Sequence, residues 1–287
     1  MIIHNEAEAH AVLARVGFYR FKGFALHFQQ LHMAGKPYTP GTKFDDVLTL
    51  MQLDTRLRLH IFAGIQEVEI GIRQCMAEQL MQTHGLRWYT DSALFRTPRP
   101  GRSDFDHSLF LVQARAEFDR SHEPFVTHYR QSYSGAYPPS WMLAEVVSFG
   151  TWSKLYAALH TPEQKRIADV LGIHQNTLRE WLKALSIVRN VTAHHSRIWN
   201  REFRTMHIAD RRPPELLTAL QSHSFVPDDP QARRLAPRLY ALHRLTQAFD
   251  PHSRWTTQLV ALLAPYPAPL LARVGFRPGW DGQSEWA

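Results

Sequence analysis

The segment from Phe44 to His84 constrains the fold more than any other part of this 287-residue chain. Its pattern predicts one continuous helix, which at the usual rise per residue would be about 60 Å long. Gly64 and Gly71 lie inside the segment, and we expect each to be a point of weakness or of close packing. A helix of this length suggests a structural spine.

The rest of the sequence also has the pattern of helices, without strand-type alternation or hairpin turns. The predicted fold class is therefore all-α, with one domain over residues 1–264 and a Pro-rich tail over 265–287. Besides 44–84, helices are predicted at 6–16, 19–33, 105–131, 140–149, 152–159, 162–171, 176–199, 214–223, 231–249 and 254–263.

Composition excludes some classes of protein. No apolar run approaches the roughly 20 residues of a membrane-spanning helix, and the N-terminus lacks the features of a secretion signal, so a cytoplasmic protein is expected. The single cysteine, Cys75, cannot form an intramolecular disulfide, and its helical context predicts a small buried side chain. We expect no metal site or cofactor, because no zinc-ligand spacing or glycine-rich phosphate loop is present.

The charge distribution indicates an anionic partner. The formal net charge is +7 and the sequence pI is about 9.7. Between Ser186 and Arg212, six arginines face only Glu202 and Asp210, so this segment contributes about +4. Such a focus of positive charge is compatible with binding to nucleic acid.

The stretch "LSIVRNVTAHHSRIWN", residues 185–200, combines this charge with groups that can do chemistry. If the helix continues to Trp199, His195 shares the core-facing stripe with Val188. The opposite face would then carry polar and cationic side chains, with Arg189 on its flank. These side chains are Asn190, His194, Arg197 and Lys183.

Imidazole and guanidinium groups together can cleave RNA without a metal ion. Histidine titrates near neutral pH, so His194 could accept a proton from a ribose hydroxyl or donate one to a leaving oxygen. Arg189 could stabilise charge on the phosphoryl group, and Asn190 could orient one of these two. Arg197, Arg201 and Lys183 would hold the RNA backbone. One histidine cannot easily be both base and acid, so a twofold homodimer would complete the site.

Two alternatives stay open on the residues alone. Residues 164–185 fit a helix-turn-helix that binds duplex DNA, with Gly172 at the turn. The same basic face could also bind and sequester RNA without cutting it. Cleavage would require His194, sequestration only the arginines, and DNA binding the helix start near Gln175.

Several segments resemble the Abi-like family of bacterial abortive-infection proteins in order along the chain. They include "GFYRFKGFALHF", "WMLAEVVSFGTWSKLYAAL" and the terminal "RVGFRPGWDGQSEW", together with "VRNVTAHHSRIWNR". The R-N-x-x-x-H run resembles the motif of the wider HEPN superfamily of ribonucleases, whose paired chains build a composite site. The resemblance implies a HEPN-like helical domain that dimerises around the motif helix.

The same resemblance implies function. It assigns Arg189 and His194 to the catalytic pair of a metal-independent endoribonuclease in phage defence, and Asn190 to the polar second position. A neutralising RNA or protein antitoxin is a possible partner. The chain begins close to the first family block, so we expect it to lack a helical segment that members usually have there. Glu69, Arg73 and Glu145 lie in family blocks, and we expect them to have structural or supporting roles.

Overall fold

The computed structural model of the chain describes residues 1–97, 105–133, 135, 137–206, 230–282 and 286. These residues form helices joined by turns, and the all-α prediction is confirmed. Within the described ranges, β-type pairing is limited to isolated bridges such as that between Ile2 and Lys43. The helix predicted at 214–223 lies outside the described residues.

The helices of the described ranges follow the predicted order closely. They are α1 (Glu6–Val16), α2 (Phe18–Ala25), α3 (Phe44–His84), α4 (His107–Arg120), α5 (Pro124–Ser132), α6 (Ser140–Val146), α7 (Phe149–Ala158), α8 (Thr161–Val170), α9 (Gln175–Ala193), α10 (Ala236–Phe249), α11 (Trp255–Leu263) and α12 (Ala268–Ala272). The predicted bounds of α1 and α3 are confirmed at both ends.

Among the helices predicted within residues 1–133, two are shorter or divided. The helix predicted at 105–131 is two helices, because Pro124 occupies the first turn of α5 and the preceding Glu123 is extended, as residues before proline usually are. The helix predicted at 19–33 ends at Ala25 and continues only as a 3₁₀ turn to Phe28. Conversely, the short helix α12 lies in the segment that was predicted to be a Pro-rich tail.

The chain divides into two compact units, Met1–His60 and Ile61–Ala287, with the division inside α3. In the first unit, the side chain of Asn5 caps α1 by accepting a hydrogen bond of 3.1 Å from the Glu8 backbone N–H, the usual role of asparagine there. The Phe21 and Phe44 rings stack at 4.7 Å. The predicted single domain over 1–264 stays a prediction.

In the second unit, α9 is the central helix. It packs against α7, α8 and α10, and its Trp181 ring meets Tyr240 edge-on at 6.5 Å. Its predicted core-facing stripe is buried at Trp181, Leu185, Val188 and Thr192. This packing fixes the position of α9, so the side chains on its remaining faces are presented on a rigid element.

The two glycines of α3 are places of close packing. A Cβ atom added to Gly71 would lie 2.7 Å from the Phe249 ring, and one added to Gly64 would overlap the Trp255 ring. Both aromatic side chains belong to the second unit, next to the start or end of a helix. The glycines therefore allow bulky rings to pack directly on the α3 backbone.

Candidate functional site

The helix that carries the predicted motif ends earlier than expected. It was predicted to reach Trp199, but α9 ends at Ala193. The Ser196 N–H donates to the Val191 carbonyl and the His195 N–H to the Thr192 carbonyl, each at 3.0 Å. This pair of bonds is a Schellman motif, which ends a helix through one residue in the left-handed conformation.

His195 is that left-handed residue, with φ +55°. The prediction that it faces the core is wrong, because the turn takes it off the helical periodicity and leaves it exposed. Trp199 is buried as predicted, but it lies beyond the end of the helix rather than on its core-facing stripe. Its indole N–H donates to the Leu270 carbonyl at 3.1 Å after the chain has turned. A left-handed residue other than glycine is uncommon, and such strain occurs often at functional sites.

Arg189 is held from one side by a buried carboxylate. Its Nε lies 3.6 Å from Oε2 of Glu69 on α3, and Glu69 is only 9% exposed. Glu69 also pairs with Arg73, one turn further along α3. One carboxylate therefore lies between two guanidiniums, and the Arg189 side chain remains about one-third exposed.

Further charges surround this cluster. Burial lowers the pKa of the Arg73 guanidinium, which Glu69 and Glu145 oppose by their negative charge and Arg189 reinforces by its positive charge. Glu145 of α6 also accepts a hydrogen bond of 3.0 Å from Gln74. The residues expected to have a supporting role thus lie around Arg189.

The sequence contains a signal for the ion pair of Glu69. The residue follows Ile65 by four positions and precedes Ile72 by three, and both isoleucines are buried. Residues at these spacings share a helix face. A charged residue on a core-facing stripe requires a partner of opposite charge, so its register indicates an internal ion pair.

Asn190 and His194 lie at the exposed end of α9. His194 is the C-terminal cap, and its backbone N–H donates to the Asn190 carbonyl at 3.0 Å. The Arg189 Nη1 lies 3.5 Å from the Asn190 Oδ1, which is long for a hydrogen bond. Helix geometry places Asn190 and His194 on one face and directs Arg189 toward its flank, as predicted.

The predicted RNA-binding residues are only partly brought together. Lys183 and Arg201 line one cavity of about 350 Å³. Arg197 is half-buried outside the lining of this cavity, and its carbonyl accepts a hydrogen bond of 3.3 Å from Arg201. Because α9 ends at Ala193, Arg197 does not continue the helical face of His194 as predicted.

The alternative helix-turn-helix does form locally. Gly172 turns the chain between α8 and α9 with φ +61°. However, Thr177 and Leu178 are fully buried, and the Gln175 carbonyl accepts a hydrogen bond from the Tyr156 hydroxyl at 3.2 Å. The start of α9 is therefore packed into the unit, which argues against insertion of this turn into a DNA groove.

Two further findings concern the described part of the chain. Within these ranges, no group of three His, Cys, Asp or Glu side chains is arranged to hold a metal ion. No helix there combines the length and apolar character needed to cross a membrane.

Comparison with known proteins identifies the family. No curated protein and no solved structure matches the chain. Residues 11–200, more than half of the sequence, match the sequence model of a family described as Abi-like protein. The match includes α3 and α9 and ends just after the His194 turn. The chain therefore belongs to the Abi-like protein family.

Proposed function

We propose that this protein is a metal-independent RNA endonuclease of the HEPN type, which acts in phage defence. Membership of the Abi-like family suggests a role in abortive infection. The observation that carries the proposal is the exposure of His194 and Asn190 at the end of α9, beside an arginine anchored by buried Glu69. These polar side chains are exposed or partly exposed and are not part of the hydrophobic core.

The reaction would be an internal transfer of a phosphodiester. The ribose 2′-oxygen forms a bond to phosphorus while the bond from phosphorus to the 5′-oxygen breaks, leaving a 2′,3′-cyclic phosphate and a 5′-hydroxyl. His194 accepts the 2′-hydroxyl proton or donates one to the 5′-oxygen. Arg189 stabilises the negative charge of the transition state, and Asn190 orients the phosphate or the guanidinium.

Two proton transfers require two groups. We propose that His194 of a second copy supplies the second transfer in a twofold homodimer, so that one composite site contains both copies of the motif. The exposed position of His195 provides another imidazole within the same chain. Replacement of His195 therefore separates the dimer scheme, in which His195 is dispensable, from a scheme that uses adjacent histidines.

A second candidate is an RNA-binding protein without cleavage activity. The cavity lined by Lys183 and Arg201 favours it, because this surface can attract phosphate whether or not His194 reacts. A neutralising RNA or antitoxin could use the same surface. The two candidates differ in their need for His194.

The test is cleavage of labelled single-stranded and structured RNAs in EDTA. The wild-type protein and His195→Ala should cut, and His194→Ala should not cut but should retain RNA affinity. The products should end in 2′,3′-cyclic phosphates. Unchanged cleavage by His194→Ala would exclude the proposed mechanism, and RNA binding without cleavage by the wild type would support the second candidate.

A further inference from the structure

The cavity beside α9 has the size and lining of a ligand site. Its volume of about 350 Å³ lies within the usual range of small-molecule pockets, about 300–1,000 Å³. It belongs to the second unit and is formed by α9, the segment 201–206 and one residue of α10. The residues used below are Lys183, Ile187, Arg201, Arg204, Met206 and Arg238.

Arg238 places a positive charge in the wall of the cavity. It is only 2% exposed, and in the described part of the chain no carboxylate forms an ion pair with it. Its guanidinium donates to the carbonyls of Ala232 and Arg234, each at 2.8 Å, and to that of Arg204. The Phe203 ring lies 5.1 Å away. Burial lowers the pKa of Arg238 to about 10, because the cation is removed from water.

The rest of the lining increases this positive charge. Among the described residues that line the cavity, Lys183, Arg201 and Arg204 contribute three more cations against two acids. Both acids already form ion pairs with arginines outside the lining, namely Glu180 with Arg179 at 3.8 Å and Glu202 with Arg233 and Arg234 at 3.5 and 3.4 Å. The cavity therefore has an excess of cations over acids, which favours an anion.

One part of the cavity is apolar. Ile187 is 46% exposed, and Met206 is buried in the lining. A ligand that has both a phosphate and a flat apolar group would contact both parts, and a nucleotide has this composition.

The cavity lies along the same face of α9 as His194. Ile187 and His194 are seven residues apart, which places them on one face with a separation of about 10 Å along the helix. A nucleotide in the cavity would therefore belong to a strand that could continue toward the proposed reacting groups.

We infer that this cavity is a subsite for one nucleotide, with its phosphate against Lys183, Arg201 and Arg204 and its base against Ile187 and Met206. The identification of the occupant as a unit of the RNA substrate rests on the proposed function. The binding of a nucleotide does not rest on the proposed function, because none of the residues named in the cavity takes part in the proposed reaction. Adenosine monophosphate is a suitable probe, because it contains the phosphate, ribose and base that a free nucleotide and a unit of RNA share.

The test is calorimetric titration of the His194→Ala protein with adenosine monophosphate, adenosine and inorganic phosphate. We expect the monophosphate to bind at least about tenfold more tightly than either fragment. When Arg201→Gln or Ile187→Glu is added to the His194→Ala protein, the binding of adenosine monophosphate should weaken by a similar factor. The first substitution removes a cation from the cavity, and the second adds an anion. Lys154→Gln on exposed α7 surface is the matched control and should change nothing.

Ile187 is exposed, so Ile187→Glu should fold, which thermal unfolding can verify. Absence of nucleotide binding, or equal binding by Ile187→Glu, would overturn the subsite. Phosphate that binds as tightly as the nucleotide would overturn the base contact.

Cleavage of RNA by the wild-type protein separates the two proposals. Cleavage that depends on His194, without binding of adenosine monophosphate, would refute the subsite and leave the proposed function intact. Nucleotide binding with the expected variant effects, but no cleavage of any RNA, would refute the proposed function and support the subsite for a free nucleotide.

Discussion

Glu69 lies between Arg73 and Arg189 and joins α3 to the end of the motif helix. The Glu69 residue is 9% exposed, and its Oε2 is 3.6 Å from the Arg189 Nε. The Arg189 Nε–H is buried, and within the described residues no acceptor is close enough for a hydrogen bond. The attraction is thus one of charge rather than of a well-formed hydrogen bond.

The first prediction concerns this carboxylate. Glu69→Gln should lower the free energy of unfolding by roughly 1–2 kcal/mol, because two guanidiniums lose their shared counter-charge. Under the proposed mechanism it should also reduce the maximal cleavage rate more than RNA affinity, since Arg189 is positioned less well. Urea unfolding and cleavage kinetics measure the two effects. Glu67→Gln, exposed on the same helix, is the control, and an equal effect in both variants would contradict a special role for Glu69.

The second prediction isolates the left-handed turn after α9. His195→Gly and His195→Val both remove the imidazole, but only glycine adopts a positive φ without steric cost. We expect the valine variant to be less stable than the glycine variant by about 1–2 kcal/mol. Chemical denaturation of both proteins gives the difference directly. Equal stabilities would mean that this turn does not constrain the backbone at residue 195.

The third prediction tests the composite site. A fixed amount of wild-type protein is mixed with a ninefold excess of His194→Ala until the subunits have exchanged. Cleavage is then measured at saturating RNA. If the site requires His194 from both copies, random pairing leaves about one-tenth of the wild-type chains in active dimers. Independent chains would keep their full activity. The same excess of an unrelated protein controls for crowding.

The fourth prediction concerns Cys75. Burial raises the pKa of this thiol to about 11, so the native protein should react slowly with thiol reagents at pH 8 and quickly once unfolded. The protonated thiol is favoured by folding, so its contribution to stability is fully present below about pH 8.5 and is lost as the pH rises toward 11. Labelling rates with and without denaturant test this, and rapid native labelling would contradict burial.

The sequence predicted some boundaries accurately because their signals are local. The start of α1 depends on Asn5, whose side chain caps the helix. The end of α9 could not be predicted in this way. "TAHHS" contains no glycine, and the left-handed residue there is a histidine. Periodicity alone therefore extended the helix to Trp199, which is buried but packs through a separate contact with Leu270.

The candidate site also combines features that local sequence predicts with features that depend on tertiary packing. Arg189, Asn190 and His194 lie within six consecutive residues, so their common position on one helix end followed from helix geometry. The buried register of Glu69 was available as a signal for its ion pair. The cavity was not predictable from spacing, because it requires Arg201 and Arg238 to approach α9 through long-range packing. Such contacts depend on tertiary structure rather than on local pattern.

The exposure of His194 and Asn190 has an evolutionary consequence. Since neither side chain contributes to the core, substitutions there should cost the fold little, and under the proposed function a lineage could lose cleavage while keeping a stable protein. Glu69 is under a different constraint, because we expect its loss to weaken folding as well. Under the same proposal, a homologue that keeps the buried acid but lacks the histidine would have lost RNA cleavage and kept the fold.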